Sequence, residues 1–180
     1  MKTFWILLMS LSACQLFSQV SIKTDNVKNE MKVNALYLPG GYAELSYERI
    51  IGDKSAIGLT IGGFIIAEES NYVTDILTYD FAVLPYYRYY LGRKLAAGFF
   101  FEANSLVFSR DSFDETDKET GLGIGLAVGA KFMVRKNWSL EIVAGGGWNL
   151  NEDTNTDTEG YFSNFPDVYP RLGITVGKRF

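Results

Sequence analysis

Gly121-Leu122-Gly123-Ile124-Gly125-Leu126-Ala127-Val128-Gly129-Ala130-Lys131-Phe132 decides how this chain folds. Successive side chains of an extended strand point to opposite faces. Leu122, Ile124, Leu126, Val128, Ala130 and Phe132 therefore share one side, and Gly121, Gly123, Gly125, Ala127, Gly129 and Lys131 the other. A period of two held this long reads as a strand and not as a helix. If the apolar side faced inward, as in a soluble lipocalin-like barrel, the glycines would line an exposed outer wall, where they cost entropy and pack nothing. Inside a narrow barrel they make room for long side chains from the facing wall. The stretch predicts a strand with its apolar side toward lipid and its small side toward a narrow lumen.

The same alternation recurs along the chain in segments of about ten residues separated by polar or glycine-rich clusters. Eight strands are predicted, with the quoted stretch as the sixth. The first, 31–38, sets Val33, Ala35 and Tyr37 opposite Lys32 and Asn34, and Pro39-Gly40-Gly41 turns it into the second, 42–50. There Ala43, Leu45 and Tyr47 oppose Glu44, Ser46 and Glu48, and in the third, 55–67, Ile57, Leu59, Ile61 and Ile65 oppose Gly58, Thr60 and Gly62. In the fourth, Tyr79, Phe81, Val83, Pro85, Tyr87 and Tyr89 oppose Asp80, Ala82, Tyr86 and Arg88. The fifth, 97–108, sets Phe99, Phe101, Ala103 and Val107 against Glu102 and Asn104, and the seventh sets Leu140, Ile142, Ala144 and Trp148 against Glu141, Gly145, Gly147 and Asn149. In the closing strand, 171–180, Leu172, Ile174, Val176 and Phe180 oppose Gly173, Thr175, Gly177 and Arg179, and Lys178 is expected to snorkel to the rim.

The connections alternate in length and charge. Short turns carry Asp53 and Lys54, Arg93 and Lys94, and Arg135 and Lys136, whereas the longer loops 68–75, 110–119 and 151–166 are acidic. Short periplasmic turns and long outer loops are what an outer-membrane barrel has. Outward aromatics are expected in two girdles, with Tyr47, Tyr87, Tyr89, Phe99, Phe101, Phe132 and Phe180 near the short turns and Tyr37, Tyr79, Phe81 and Trp148 near the loops. The lumen is expected to hold Glu44, Glu48, Asp80, Glu102 and Glu141 against Lys32, Arg88, Lys131, Arg171 and Arg179, a balanced set. Buried charges survive only when paired and hydrogen-bonded, so these should interlock and plug the barrel.

Residues 1–19 read as a secretory signal peptide, with a basic start, an apolar run over 4–11 and a cleavage site after Phe17-Ser18-Gln19. Leu11-Ser12-Ala13-Cys14 also resembles a lipoprotein signal, in which Cys14 would be lipidated. A short polar segment, 20–30, would precede the barrel at 31–180. Cys14 is the only cysteine and histidine is absent, so a chain cut after Gln19 lacks the usual nucleophile and base pairs, and no catalytic residue is assigned. Glu44 and Glu48 lie four apart on one strand face, which is ordinary lumen spacing. The acidic groups Glu152, Asp153, Asp157 and Glu159, and Asp111, Asp114, Glu115 and Asp117, do not match an EF-hand loop and read as solvated surface. No metal or cofactor is expected. With 17 basic against 21 acidic residues, nucleic acid is not an expected partner either.

Several segments resemble the small eight-stranded outer-membrane barrels, OmpX-like and OmpA-like, of the kind found in Bacteroidota. They are 43–50 with Gly52-Asp53-Lys54, Pro85-Tyr86-Tyr87-Arg88-Tyr89-Tyr90-Leu91-Gly92 with Gly98-Phe99-Phe100-Phe101, the Phe17-Ser18-Gln19 signal end, and Lys178-Arg179-Phe180. The resemblance implies an all-β, eight-stranded, antiparallel, up-and-down transmembrane barrel, monomeric and integral to the outer membrane. It also implies that the barrel-assembly machinery reads Phe180, although Lys178 departs from the apolar residue more usual there. The expected role is non-enzymatic: structural, or binding an extracellular partner through the acidic loops. The alternative is a narrow solute or ion channel along the polar lumen.

Overall fold

The computed structural model describes residues 27–65, 77, 79–111, 118–135, 137–150 and 168–180. The chain is all-β, with β1 (Asn29–Asn34), β2 (Tyr42–Ile50), β3 (Ser55–Phe64), β4 (Phe81–Tyr90), β5 (Gly98–Asp111), β6 (Lys118–Arg135), β7 (Trp138–Asn149) and β8 (Val168–Arg179). Each strand pairs antiparallel with the next, and β8 pairs back onto β1, so the eight close into a barrel. Closure leaves no open edge whose amides and carbonyls lack partners. Register is enforced by the two-residue period, because a slip of one position would turn every outward apolar side chain inward. Along β5 and β6 it runs unbroken from Gly98 opposite Lys131 to Asp111 opposite Lys118. Residues 1–19 and the loop stretches 68–75, 112–117 and 151–166 lie outside the described residues.

The outer wall is apolar and bare. Leu126 is 66% exposed, Phe99 68% and Trp148 62%, and Leu45, Ile57, Ile61, Phe101, Ile124 and Ile142 stand out in the same way. The glycine side of β6 faces inward, for a reason more local than the sequence suggests. Two of its four glycines are covered by rings from directly paired positions on the neighbouring strand, and Gly123 and Gly125 by Tyr169 from β8. Phe108 stands opposite Gly121 and Phe100 opposite Gly129, and a Cβ on either glycine would fall within the paired ring. Tyr86 over Gly58 and Tyr169 over Gly147 repeat the device on β3–β4 and β7–β8.

Three expectations are corrected at the loop end. The first strand is Asn29–Asn34 instead of 31–38, because the Asn34 side chain ends it: its Oδ1 accepts the Leu36 and Ile174 amides, both at 3.1 Å. The chain then turns through Leu38–Gly40, a 3-10 segment closed by Gly41 at φ 78°, where a side chain would be strained. Tyr37 is therefore swung inward and buried, although strand alternation would put it outside. Tyr79, before the start of β4, is buried beside it, so the described loop-side girdle consists of Phe81 and Trp148. At the other end, turn 91–97 folds into the mouth. Ala96 and Ala97 are buried, and the Ala96 amide donates to the Asp53 carbonyl at 3.1 Å.

Candidate functional site

The lumen has three layers. Near the loops Tyr37, Tyr42, Tyr79, Phe108 and Tyr169 form an aromatic layer, with Tyr37 and Tyr42 edge to face at 6.0 Å between centroids. Near the short turns Ile50, Ala56, Tyr90, Ala96 and Phe100 form an apolar one. Between them lies a set of charged side chains drawn from every strand but β3. Each reaches inward because it occupies the same parity as the glycines and small residues of its strand.

Glu48 on β2 is the hub. Its Oε2 accepts Lys32 Nζ at 2.7 Å, Arg88 Nη1 at 2.9 Å and the Tyr86 hydroxyl at 3.2 Å, while Oε1 accepts Lys131 Nζ and, at 2.9 Å, the Tyr90 hydroxyl. Arg88 on β4 is the complementary hub, reaching Glu102 Oε2 through Nε at 2.7 Å and Nη2 at 2.6 Å, and Glu141 Oε2 through Nη1 at 2.7 Å. Its guanidinium lies 4.4 Å from the Tyr86 ring centroid and 4.3 Å from that of Phe100, so two faces that could not be hydrogen-bonded are covered by π systems. Toward the loops, Arg171 bridges Glu102 Oε1 and Glu44 Oε1, both at 2.9 Å, and Asn34 donates to the other Glu44 oxygen. Toward the short turns, Arg179 Nε donates to Glu30 Oε2 at 3.0 Å, and its two Nη groups donate to the carbonyls of Leu95 at 3.0 Å and Ala96 at 2.6 Å. That clamp fixes the inward turn, in which Ala96 is held at φ 40°.

The structure thus brings Lys32, Glu44, Glu48, Arg88, Glu102, Lys131, Glu141, Arg171 and Arg179 together. It leaves out Asp80, which is exposed at the loop-side mouth immediately ahead of β4. The missing carboxylate is Glu30, fully buried, bound by Lys131 and Arg179 and accepting the Ser139 hydroxyl. Sequence reasoning stopped one residue short of it. Extending the alternation of β1 back from Lys32 by two positions finds it. Among the described residues the lumen therefore still holds five charges of each sign.

Every one of these carboxylates is paired with at least one cation, and all ten side chains are almost wholly removed from solvent. Such an arrangement fixes side chains in place. The Tyr37 hydroxyl, outside the strands, is pushed up by burial and by the nearby Glu44 charge, opposed by Arg171, and stays neutral at physiological pH. Glu141 Oε1 and Thr175 Oγ1, on paired positions of β7 and β8, have no protein partner.

No curated protein and no solved structure matches the chain. Residues 4–162, which carry the first seven strands with all five lumen carboxylates and end before β8, match the family described as "Protein of unknown function (DUF3575)", and to that family the chain belongs.

Proposed function

We propose that this chain is an integral outer-membrane β-barrel, exported with residues 1–19 removed as a signal peptide. In this reading the barrel is a monomeric, non-enzymatic anchor, and the acidic loops are its working surface toward an extracellular partner. The observation that carries the proposal is the inversion of polarity. Large apolar side chains on the outer wall are about half exposed, while ten ion-paired side chains fill the interior. Water would penalise such a wall, and a hydrocarbon surround favours it. The outward aromatics Tyr47, Tyr87, Tyr89, Phe99, Phe101 and Trp138 at one end, with Phe81 and Trp148 at the other, suit the two interfaces of a bilayer.

The expected outcome is recovery in the envelope fraction with heat-modifiable gel mobility, since a folded barrel runs faster than the boiled chain. Recovery as a soluble periplasmic species overturns the reading. The interlocked lumen argues against the channel alternative. Planar bilayers containing the pure protein are expected to stay silent, and steady conductance that changes on Glu102→Gln or Arg88→Gln would replace the anchor with a channel.

A further inference from the structure

Charge on this molecule is sorted by end. Outside the lumen, the short-turn rim exposes Lys28, Arg49, Lys54, Arg93, Lys94, Arg135 and Lys178, and among its described exposed side chains Asp53 is the one carboxylate. By sequence, the longer connections 68–75, 110–119 and 151–166, with Asp167 and the exposed Asp80, hold almost every other carboxylate outside the lumen. Solubility alone would not need such sorting, because mixed charge at both ends serves it equally well.

The cations also stand at a defined height. Outward rings mark where the apolar wall stops, and the basic groups sit at that line. Lys178 Nζ lies 5.6 Å from the Trp138 ring centroid. Arg49 Nη1 and the Tyr47 hydroxyl donate to the same acceptor, Asn29 Oδ1, at 3.1 and 2.8 Å, so cation and ring end level with each other. Arg93 and Lys94 lie in the turn directly beyond Tyr89, and Lys54 in the turn before Ile57. A ring of amphipathic aromatics capped by long basic side chains meets a lipid leaflet in a set way. The rings lie among the glycerol groups and the cations reach the phosphates.

Building on the membrane reading above, we infer that this basic collar binds the anionic phosphate headgroups of the phospholipid leaflet at the short-turn side. The shell of lipid there is enriched in negatively charged phospholipid. The acidic far end repels the same leaflet, so the collar also fixes which way the barrel faces.

The test uses the full chain, folded into vesicles of phosphatidylcholine alone and of phosphatidylcholine with about 30 mol% phosphatidylglycerol, a content that sets a strong negative surface potential. Spin-labelled analogues of the two lipids report the composition of the barrel's immediate shell. Phosphatidylglycerol is expected to show a relative association constant of about 2 or more over phosphatidylcholine in that shell. The enrichment should fall toward one in about 0.5 M salt, where charges are screened within a few ångströms. It should fall by about half in the variant R49Q/K54Q/R93Q/K94Q, which removes four of the seven collar cations and leaves the lumen intact. A folded barrel with no enrichment, or one whose enrichment ignores salt, overturns the inference and leaves the membrane reading standing. If the variant does not fold, the salt titration of the native chain decides alone. Absence of a heat-modifiable folded band in both vesicle types overturns the membrane reading, and this inference with it.

Discussion

Glu48 receives five donors on two oxygens, and three of them are cations. Removing its charge would leave Lys32, Arg88 and Lys131 crowded in a space closed to solvent, which is the costly half of breaking a buried pair. Glu48→Gln is therefore expected to cost about 3–5 kcal/mol, read as a lowered urea midpoint of the detergent-folded barrel. The double variant E48Q/K131M, which withdraws one cation as well, should recover a substantial part. An unchanged midpoint for the single variant would mean that the network is not holding the barrel. At this scale the interior is legible in the sequence wherever a strand is regular. Position parity alone puts Lys131 and Glu141 in the lumen, directly opposite each other on β6 and β7. Parity misplaces Asp80 because it has meaning only inside a strand, and Asp80 lies just before β4 begins.

Among the strands, β4 carries the exceptional residue. Its pairing with β5 is recorded from Phe81 to Val83 and again from Tyr86, and skips Leu84 and Pro85. By the surrounding register Pro85 stands opposite Ser105, to which it has no N–H to give. Pro85→Val supplies that donor on an outward position where a β-branched side chain fits. It is expected to raise stability by about 0.5–1.5 kcal/mol, the net worth of one hydrogen bond. Amide exchange at residues 84–86 should slow with it, and a lower midpoint would show that the break is needed. Strand identity was written plainly in the alternation, whereas strand ends were not. The run Val33, Ala35, Tyr37 keeps its period past Asn34, so nothing in it announces the turn. The terminator is a side chain hydrogen bond that reaches β8, some 140 residues along the chain, and no local pattern records such a contact.

For the whole molecule, the surround of the outer wall decides what a surface substitution does. Leu126 projects from the middle of β6 and touches the medium over most of its surface. On a water-soluble barrel Leu126→Arg would be close to neutral. In a bilayer an arginine near the midplane costs about 2–4 kcal/mol, so L126R should fold in detergent and insert poorly into vesicles, measured as the heat-modifiable fraction. Equal insertion of both chains would count against a lipid-facing wall. The source of each lumen charge has a consequence for how the barrel completes itself. Strands β1 to β7 contribute Lys32, Arg88 and Lys131 against Glu30, Glu44, Glu48, Glu102 and Glu141. A sheet lacking its last strand thus carries two surplus negative charges on the face that must become dry. Arg171 and Arg179 both arrive with β8, one binding Glu44 and Glu102 and the other Glu30 across the seam. Joining the seam and discharging the interior are a single event. A closure slipped by one residue would turn both arginines outward and leave the interior with that surplus, so charge balance selects the ring that encloses it.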